Sequence, residues 1–436
     1  MKRKILNALL DWKTEQNRKV LLLRGARQVG KTYIVRELAK EFKHFVEINF
    51  EKDTEIHDFF DQNLDPKQIC TNLSAYFRIP IIEGETLLFF DEIQSCSKAI
   101  QSLRFFYELK PKLNVIAAVS LLEFALSDLS SWGVVRIRSL YMYPMSFDEF
   151  LMANEEDVLI EMKKEASAKK PIIPAFHQKL KEYLRFFLLI GGMPETVKTF
   201  IGNPTDMKSV QNFLSDITTS YYDDFAKYKR RIPLLRLREV MNSVVNQSGG
   251  KYIYSKAGPL SNPIQAKEAL DLLEMAGLVY KVYHSSGQGV PLGSGVNFKK
   301  FKCILLDSGI FQQIVGLRIT DLLVADNIDI LNKGSIAEAF VGVEFIKYSQ
   351  DIEKKQLYYW HREKRGSNAE VDYLIEEGTQ IVPLEIKSGT TGKMQSMNLF
   401  INEKKSSKGI RISLENFSQH GNITVVPLYA VANLIQ

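Results

Sequence analysis

Cysteine is scarce in this 436-residue chain, and the three present, Cys70, Cys96 and Cys303, lie far apart with no metal-ligand spacing. That scatter suits reduced thiols in a cytoplasmic protein and excludes a disulfide framework. Long apolar runs are missing too, so no segment is expected to span a bilayer. The basic start "MKRKILNALLDWK" is interrupted by Asp11 and Lys13, and no small-residue cleavage site follows. An amphipathic first helix is expected there, not a signal peptide. Internal repeats, low-complexity tracts and long linkers are absent, which sets aside repeat architectures.

What remains is the composition of a globular protein, 45% hydrophobic and 25% charged. The length predicts roughly two to four domains, each able to bury a core. A net charge of +6 permits nucleic-acid binding without demanding it, because clustering of the charges decides.

The chain divides into four parts. In residues 1–140 the short apolar runs "KVLLLRG", "HFVEINF", "TLLFFDE" and "NVIAAVS" alternate with helical or loop segments. Such runs predict strands buried on both faces of a parallel sheet, hence an α/β core. Residues 141–228 turn helical, with apolar spacing of three and four in "FHQKLKEYLRFFLLIGG" and a break at "GGMPE". Residues 229–325 read as helix, turn, helix and β-wing, the outline of a winged helix, with Ser261 or Asn262 capping a helix that starts at Pro263. Residues 326–436 carry the helix "GSIAEAFVGVEF" and the strands "LYYWHR", "AEVDYLIEE", "QIVPLEIKSG" and "ITVVPLYAV".

"LLLRGARQVGKTYIVRELA" contains Gly25, Gly30, Lys31 and Thr32 in the spacing GxxxxGK[ST], between an apolar strand and a helix. Glycines let backbone N–H groups turn inward around phosphate oxygens at a helix N-terminus. The expected cofactor-binding set is Gly25, Gln28, Val29, Gly30, Lys31, Thr32, Tyr33, Asp91 and Ser120. Lys31 would reach the β- and γ-phosphates of ATP, and the Thr32 hydroxyl would ligate Mg²⁺. "TLLFFDEIQ" delivers Asp91 and Glu92 to a strand end beside the phosphates, Asp91 for the metal and Glu92 to orient the hydrolytic water. Ser120 senses the γ-phosphate or caps the following helix. Arg136 or Arg138 supplies a transition-state guanidinium, in cis or to a neighbouring subunit, or both share a solvated strand face.

Near the end, "NAEVDYLIEEGTQIVPLEIKSG" places Asp372, Glu385 and Lys387 on adjoining strands. Residues two apart on a strand share a face, so Glu385 and Lys387 project together and a hairpin brings Asp372 alongside. The Glu-x-Lys triplet alone says little, since it recurs at Glu41/Lys43, Glu161/Lys163, Glu353/Lys355 and Glu403/Lys405. Converging carboxylates call for a cation, and Mg²⁺ or Mn²⁺ fits oxygen ligands. In that reading Asp372 and Glu385 hold the metal and Lys387 helps activate water. His361, Arg362, Lys364, Arg365 and Lys393 would bind phosphates, as would Lys229, Arg230, Arg231, Lys267, Lys299, Lys300 and Lys302 on the winged-helix segment. The other reading is a fold kept for protein contact, its lysine paired to an acid.

Together "RGARQVGKT", "LLFFDEIQ", "LYMYPMSFDEFL", "GGMPE" and "FKCILLDSGI" resemble a bacterial and archaeal family of AAA-type ATPases with a C-terminal domain of unknown function. The resemblance implies an α/β P-loop AAA-type core, a helical lid, a winged-helix segment and a C-terminal α/β domain similar to restriction endonucleases and Holliday-junction resolvases. It implies Glu338 as the acid that resolvase-like nucleases supply from their first helix. The chain departs from the family at Val119-Ser120 and Val135-Arg136, where a glycine is usual before the serine and the arginine. Implied partners are ATP, DNA or a protein, and an oligomer is compatible with the pattern; no membrane is implied.

Overall fold

The computed structural model describes residues 1–120, 136–226, 232–259, 262–319, 334–349, 355–362, 368–387, 389 and 394–435. Val135, Lys229, Arg230, Arg231, Ser261, Lys364, Arg365 and Lys393, and the divides expected at 228/229 and 325/326, lie outside the described residues.

The apolar runs of the first part form β1 (Val20–Gly25), β2 (His44–Asn49), β3 (Thr86–Asp91), β4 (Asn114–Ser120) and β5 (Ile137–Met142). All pair in parallel, in the order β2-β3-β4-β1-β5. α1 (Ile5–Thr14) precedes the sheet, and α2 (Lys31–Ala39), α3 (Pro66–Phe77) and α4 (Ser97–Leu109) make crossovers. Strand alternation sends successive side chains to opposite faces. Leu21, Leu23, Phe89 and Ile116 therefore enter one core, and Val20, Leu22, Phe90 and Val115 enter another. Burial on both faces explains why these strands read as unbroken apolar runs. The divide expected at 140/141 falls inside β5, which pairs with β1 along its length.

A helical layer follows: α5 (Phe147–Ala153), α6 (Asp157–Glu165), α7 (Pro174–Ile190), α8 (Pro194–Gly202) and α9 (Met207–Ala226). α5 starts with a capping box, Ser146 and Glu149 each satisfying the other's backbone N–H. The "GGMPE" break is a close approach. The Gly192 carbonyl accepts from the Met145 N–H at 2.6 Å, and a Cβ on Gly192 would lie 2.1 Å from the Met145 oxygen. Gly192 N–H donates to Asp307 Oδ2 at 2.6 Å. The other Asp307 oxygen caps α12 (Ser308–Val315) by accepting from Gly309 and Ile310. Two distant motifs, "GGMPE" and "FKCILLDSGI", thus meet at one buried carboxylate.

Between them lie α10 (Leu234–Asn246) and α11 (Pro263–Met275), the latter capped by Asn262 Oδ1 accepting from Gln265 N–H at 2.8 Å. β6 (Val279–Ser285) and β7 (Val296–Leu305) form the expected hairpin, but it does not project as a free wing. β6 pairs in parallel with β8 (Leu357–His361), which continues into β9 (Glu370–Glu377) and β10 (Gln380–Ile386). β11 (Gly409–Ser413), β12 (Ser418–His420) and β13 (Ile423–Pro427) complete an eight-stranded mixed sheet, order β12-β13-β11-β10-β9-β8-β6-β7. The glycine-rich loop of the hairpin is tied down: Leu292 is buried, and its N–H donates to Glu376. α13 (Gly334–Lys347) and α14 (Gln395–Lys404) pack beside this sheet. Only "ITVVP" of the last expected strand is extended, since residues Leu428–Leu434 wind into a 3₁₀ turn.

Replacing Gly192 by Ala drives a methyl into the Met145 carbonyl. Urea denaturation is expected to show a loss of roughly 2–3 kcal/mol, the cost of overpacking a rigid contact.

Candidate functional site

The C-terminal ends of β1, β3 and β4 meet at one edge of the parallel sheet, with Gly25 beside Ser120 in register. Gly25 must be glycine because a Cβ would lie 2.4 Å from the Met142 oxygen of β5. The chain then turns through Gln28 (φ 63°) and Gly30 (φ 97°), both left-handed, into α2. Lys31 is buried, its ammonium donating to the Gly25 and Ala26 carbonyls at 3.2 and 3.0 Å. Thr32 Oγ1 donates to Asp91 Oδ2 at 2.9 Å. A hydroxyl and a carboxylate at that separation are oxygen donors suited to one Mg²⁺.

Asp91 sits at the buried end of β3. Burial raises its carboxyl to about 6, the Glu92 charge adds to the rise, and Thr32 and Lys31 oppose it. Glu92 adopts a left-handed φ of 48°, and Gln94 Nε2 donates to its Oε2 at 2.6 Å. A non-glycine residue in that region carries strain of order 1 kcal/mol, which the turn out of β3 imposes. Gln94 orients the carboxylate. The sequence offered only its place two residues after Glu92.

A cavity of about 970 Å³ opens over this edge, lined by Arg3, Gln28, Gly30, Lys31, Thr32 and Glu92 and by residues of α8 and α9. The helical layer clamps the phosphate loop directly. Gln28 Nε2 donates to Ser220 Oγ at 2.9 Å, Tyr221 OH donates to the Arg27 carbonyl at 3.1 Å, and Arg27 ion-pairs Asp224 at 2.6 Å. Tyr33 lies at the rim, its hydroxyl accepting from the N-terminal ammonium. Val29 is buried beneath the loop.

Arg136 precedes β5, whose first residue pairs with Val20, so it lies at the opposite edge of the sheet from Gly25. There it ion-pairs Glu108, and Arg138 ion-pairs Glu15. Neither arginine reaches the phosphate edge of its own subunit.

The C-terminal acids meet a lysine where a metal was expected. The hairpin register Leu384↔Tyr373 continues to set Asp372 opposite Glu385, and Ile386 N–H donates to Asp372 Oδ2 at 2.8 Å. Lys302 of β7, expected on the surface as a phosphate contact, is buried instead. Its ammonium lies 2.7 Å from Glu338, 2.5 Å from Glu370 and 3.9 Å from Asp372. Lys387 pairs Glu385 at 2.6 Å. Among the described residues no three His, Cys, Asp or Glu side chains are grouped to hold a metal. Burial pushes the Glu338 and Asp372 carboxyls up, Lys302 draws them down, and the acids flanked by it hold its own ammonium charged. Arg362 is likewise engaged, ion-paired to Glu403. Glu370 was missed, though it lies two residues before Asp372 on the same strand face. Lys302 was misread because only the sheet's tertiary pairing buries it.

One family match covers the first site. Residues 17–151 match the family model of an AAA domain. Residues 181–321 and 333–431 match two domains of unknown function, DUF8612 and DUF4143. No curated protein matches the chain. Similar solved structures include a Walker-type ATPase of Pyrococcus abyssi, at 16% identity over 72% of this chain and 95% of that one, TM-score 0.44. Cdc6p of Pyrobaculum aerophilum is 14% identical over 72% and 91%, TM-score 0.25. AMPPCP-bound DnaA from Aquifex aeolicus is 11% identical over 62% and 85%, TM-score 0.24. The parallel sheet, the phosphate loop and the AAA match define residues 17–151 as an AAA-type P-loop domain. The N-terminal region of this chain is an ATPase domain. No described helix is long and apolar enough to cross a membrane.

Asp91 titrates above the ordinary carboxylate range, so in the fold its ionised form is the disfavoured one. That cost is fully present above pH 6 and disappears as the pH falls below the unfolded-state value of about 4. Asp91→Asn is therefore expected to stabilise the nucleotide-free protein by roughly 2 kcal/mol at pH 8 and not at pH 4, in urea titrations at both pH values. The same variant should lose Mg²⁺-dependent hydrolysis.

Proposed function

We propose that this protein is an ATP-driven switch whose nucleotide state is relayed to a C-terminal domain acting by contact with a protein partner. ATP and Mg²⁺ occupy the cavity, with Thr32 and Asp91 holding the metal, Lys31 the β- and γ-phosphates, and Glu92 the attacking water. Ser120 lies level with Gly25 at the end of β4, which supports a role in sensing the γ-phosphate beside that of capping the chain that follows. Hydrolysis removes the γ-phosphate from the phosphate loop, and the contacts that Ser220, Tyr221 and Asp224 make on that loop would pass the change to the helical layer. The protein would work in the cytoplasm.

The observation that carries the contact reading is Lys302. Two or more buried carboxylates repel unless a cation lies among them, and here that cation is a side chain of the protein itself. In this reading the domain would have an endonuclease-like arrangement of strands and acids, with an ion pair in the place of a metal.

The second reading is a metal-dependent nuclease acting on DNA, favoured by the juxtaposition of Asp372, Glu385 and Lys387. Linear, branched and single-stranded DNA incubated with Mn²⁺, with and without ATP, separates the two. No cleavage is expected. Metal-dependent cleavage that disappears in Glu385→Ala and Asp372→Ala would install the nuclease instead. Lys31→Ala should abolish ATP hydrolysis in a phosphate-release assay, and ATPase activity surviving it would remove the nucleotide site. Lys302→Ala leaves buried acids uncompensated and is expected to cost roughly 3–5 kcal/mol in chemical denaturation.

A further inference from the structure

Arg3, from the N-terminal segment just before α1, has no role in any motif, yet it lines the nucleotide cavity and is only 7% exposed. Its guanidinium is used on three sides. Nη1 donates to the Val29 carbonyl at 2.9 Å, Nη2 donates to the Tyr143 carbonyl at 2.7 Å, and Nε donates to Glu149 Oε1 at 3.0 Å. Val29 belongs to the phosphate loop, Tyr143 to the segment after β5, and Glu149 to the capping box of α5. One planar, always-charged group thus joins the loop to two neighbouring elements at fixed angles.

The contact with Val29 has a stereochemical consequence. A trans peptide is planar, with its carbonyl oxygen and the following N–H pointing in opposite directions. Fixing the Val29 oxygen toward Arg3 therefore fixes the Gly30 N–H away from it. Gly30 precedes α2 with φ 97°, in the turn whose N–H groups face a bound phosphate. A peptide free to flip would present its carbonyl oxygen to the phosphates, and the negative end of that dipole would repel the anionic phosphate oxygen.

We propose that Arg3 is a positioning residue for ATP: by holding the Val29 carbonyl it aims the Gly30 N–H at the β-phosphate. It touches no phosphate itself. Glu149 keeps the guanidinium in place: burial pushes its carboxyl up, but the Arg3 charge together with the Ser146 and Lys4 N–H groups draws it below its ordinary value. The proposal concerns the ATPase alone and does not depend on what the C-terminal domain contacts.

The test uses the full chain with Mg²⁺ and compares ADP with AMP, which lacks the β-phosphate. Loss of one well-aimed hydrogen bond to a charged group predicts an ADP Kd and an ATP KM raised about ten-fold in Arg3→Ala. The AMP affinity should stay within about two-fold, because the aimed N–H has no partner there. Arg3→Lys, which keeps the charge but not three fixed donors, should recover only part of the ADP affinity. Glu149→Gln loosens the same buried pair without removing the Val29 contact. It should lower the Tm of the nucleotide-free protein while ADP affinity changes by less than about three-fold. Three outcomes would overturn the proposal: ADP affinity unchanged in Arg3→Ala, equal losses for ADP and AMP, or Glu149→Gln weakening ADP as much as Arg3→Ala. Should Arg3→Ala fail to fold, Arg3→Lys is judged by the same ADP-to-AMP comparison.

Discussion

Asp148 and Glu149, adjacent acids in the first turn of α5, are both buried, and much of the molecule is organised around satisfying them. Glu149 takes Arg3 and the Lys4 and Ser146 N–H groups; Asp148 takes Lys4 at 2.9 Å and the buried Lys163 of α6. The N–H groups of the same turn reach further: Phe147 N–H donates to Glu344 at 2.9 Å and Asp148 N–H to Tyr348 at 3.1 Å, both in or just after α13. Lys347 closes the set by donating to the Met145 carbonyl at 2.9 Å. A charge buried without a partner costs several kcal/mol, so this turn cannot shift without its partners shifting too. It ties together the N-terminal segment, the phosphate loop, the helical layer and α13. α13 in turn carries Glu338, one of the acids on Lys302.

That continuity explains why the chain is poorly described as a row of separate domains. One apolar cluster runs from the phosphate-loop residue Val29 through Leu188 and Leu270 to Val341 and Ile412. The eight-stranded sheet joins the β6–β7 hairpin to the C-terminal strands. Asp307 joins "GGMPE" to the helix after β7. A change at the phosphate edge meets rigid, hydrogen-bonded connections in several directions, which is what a relay between a nucleotide site and a distant surface requires.

The C-terminal cluster shows how one pattern of acids admits two chemistries. Four carboxylates, those of Glu338, Glu370, Asp372 and Glu385, face two ammonium groups, Lys302 and Lys387. A divalent ion and a pair of lysines solve the same electrostatic problem. In this fold β7 delivers a lysine, Lys302, into the acids.

How far the sequence alone reached follows the range of the forces involved. The parallel core was legible because doubly buried strands must be apolar throughout, as "TLLFFD" is. The phosphate loop was legible because its glycines, lysine and threonine serve one short backbone turn. The α11 cap at Asn262 and the Asp372–Glu385 hairpin are equally local. By contrast, β11 and α14 passed unnoticed, since "GIRIS" is short and "QSMNLFINEK" has only Met397, Phe400 and Ile401 as buried residues. Where Arg136 sits was not legible, because strand order, not sequence distance, decides which end of β5 faces the phosphates. Arg3 and Lys302 carry no motif at all. Their roles come from contacts across 26, 146 and 36 residues. The local chemistry of the phosphate loop is written in a few consecutive residues, whereas packing selects which distant charges reach it and the C-terminal acids, because long-range ion pairs are specified by the fold and not by spacing.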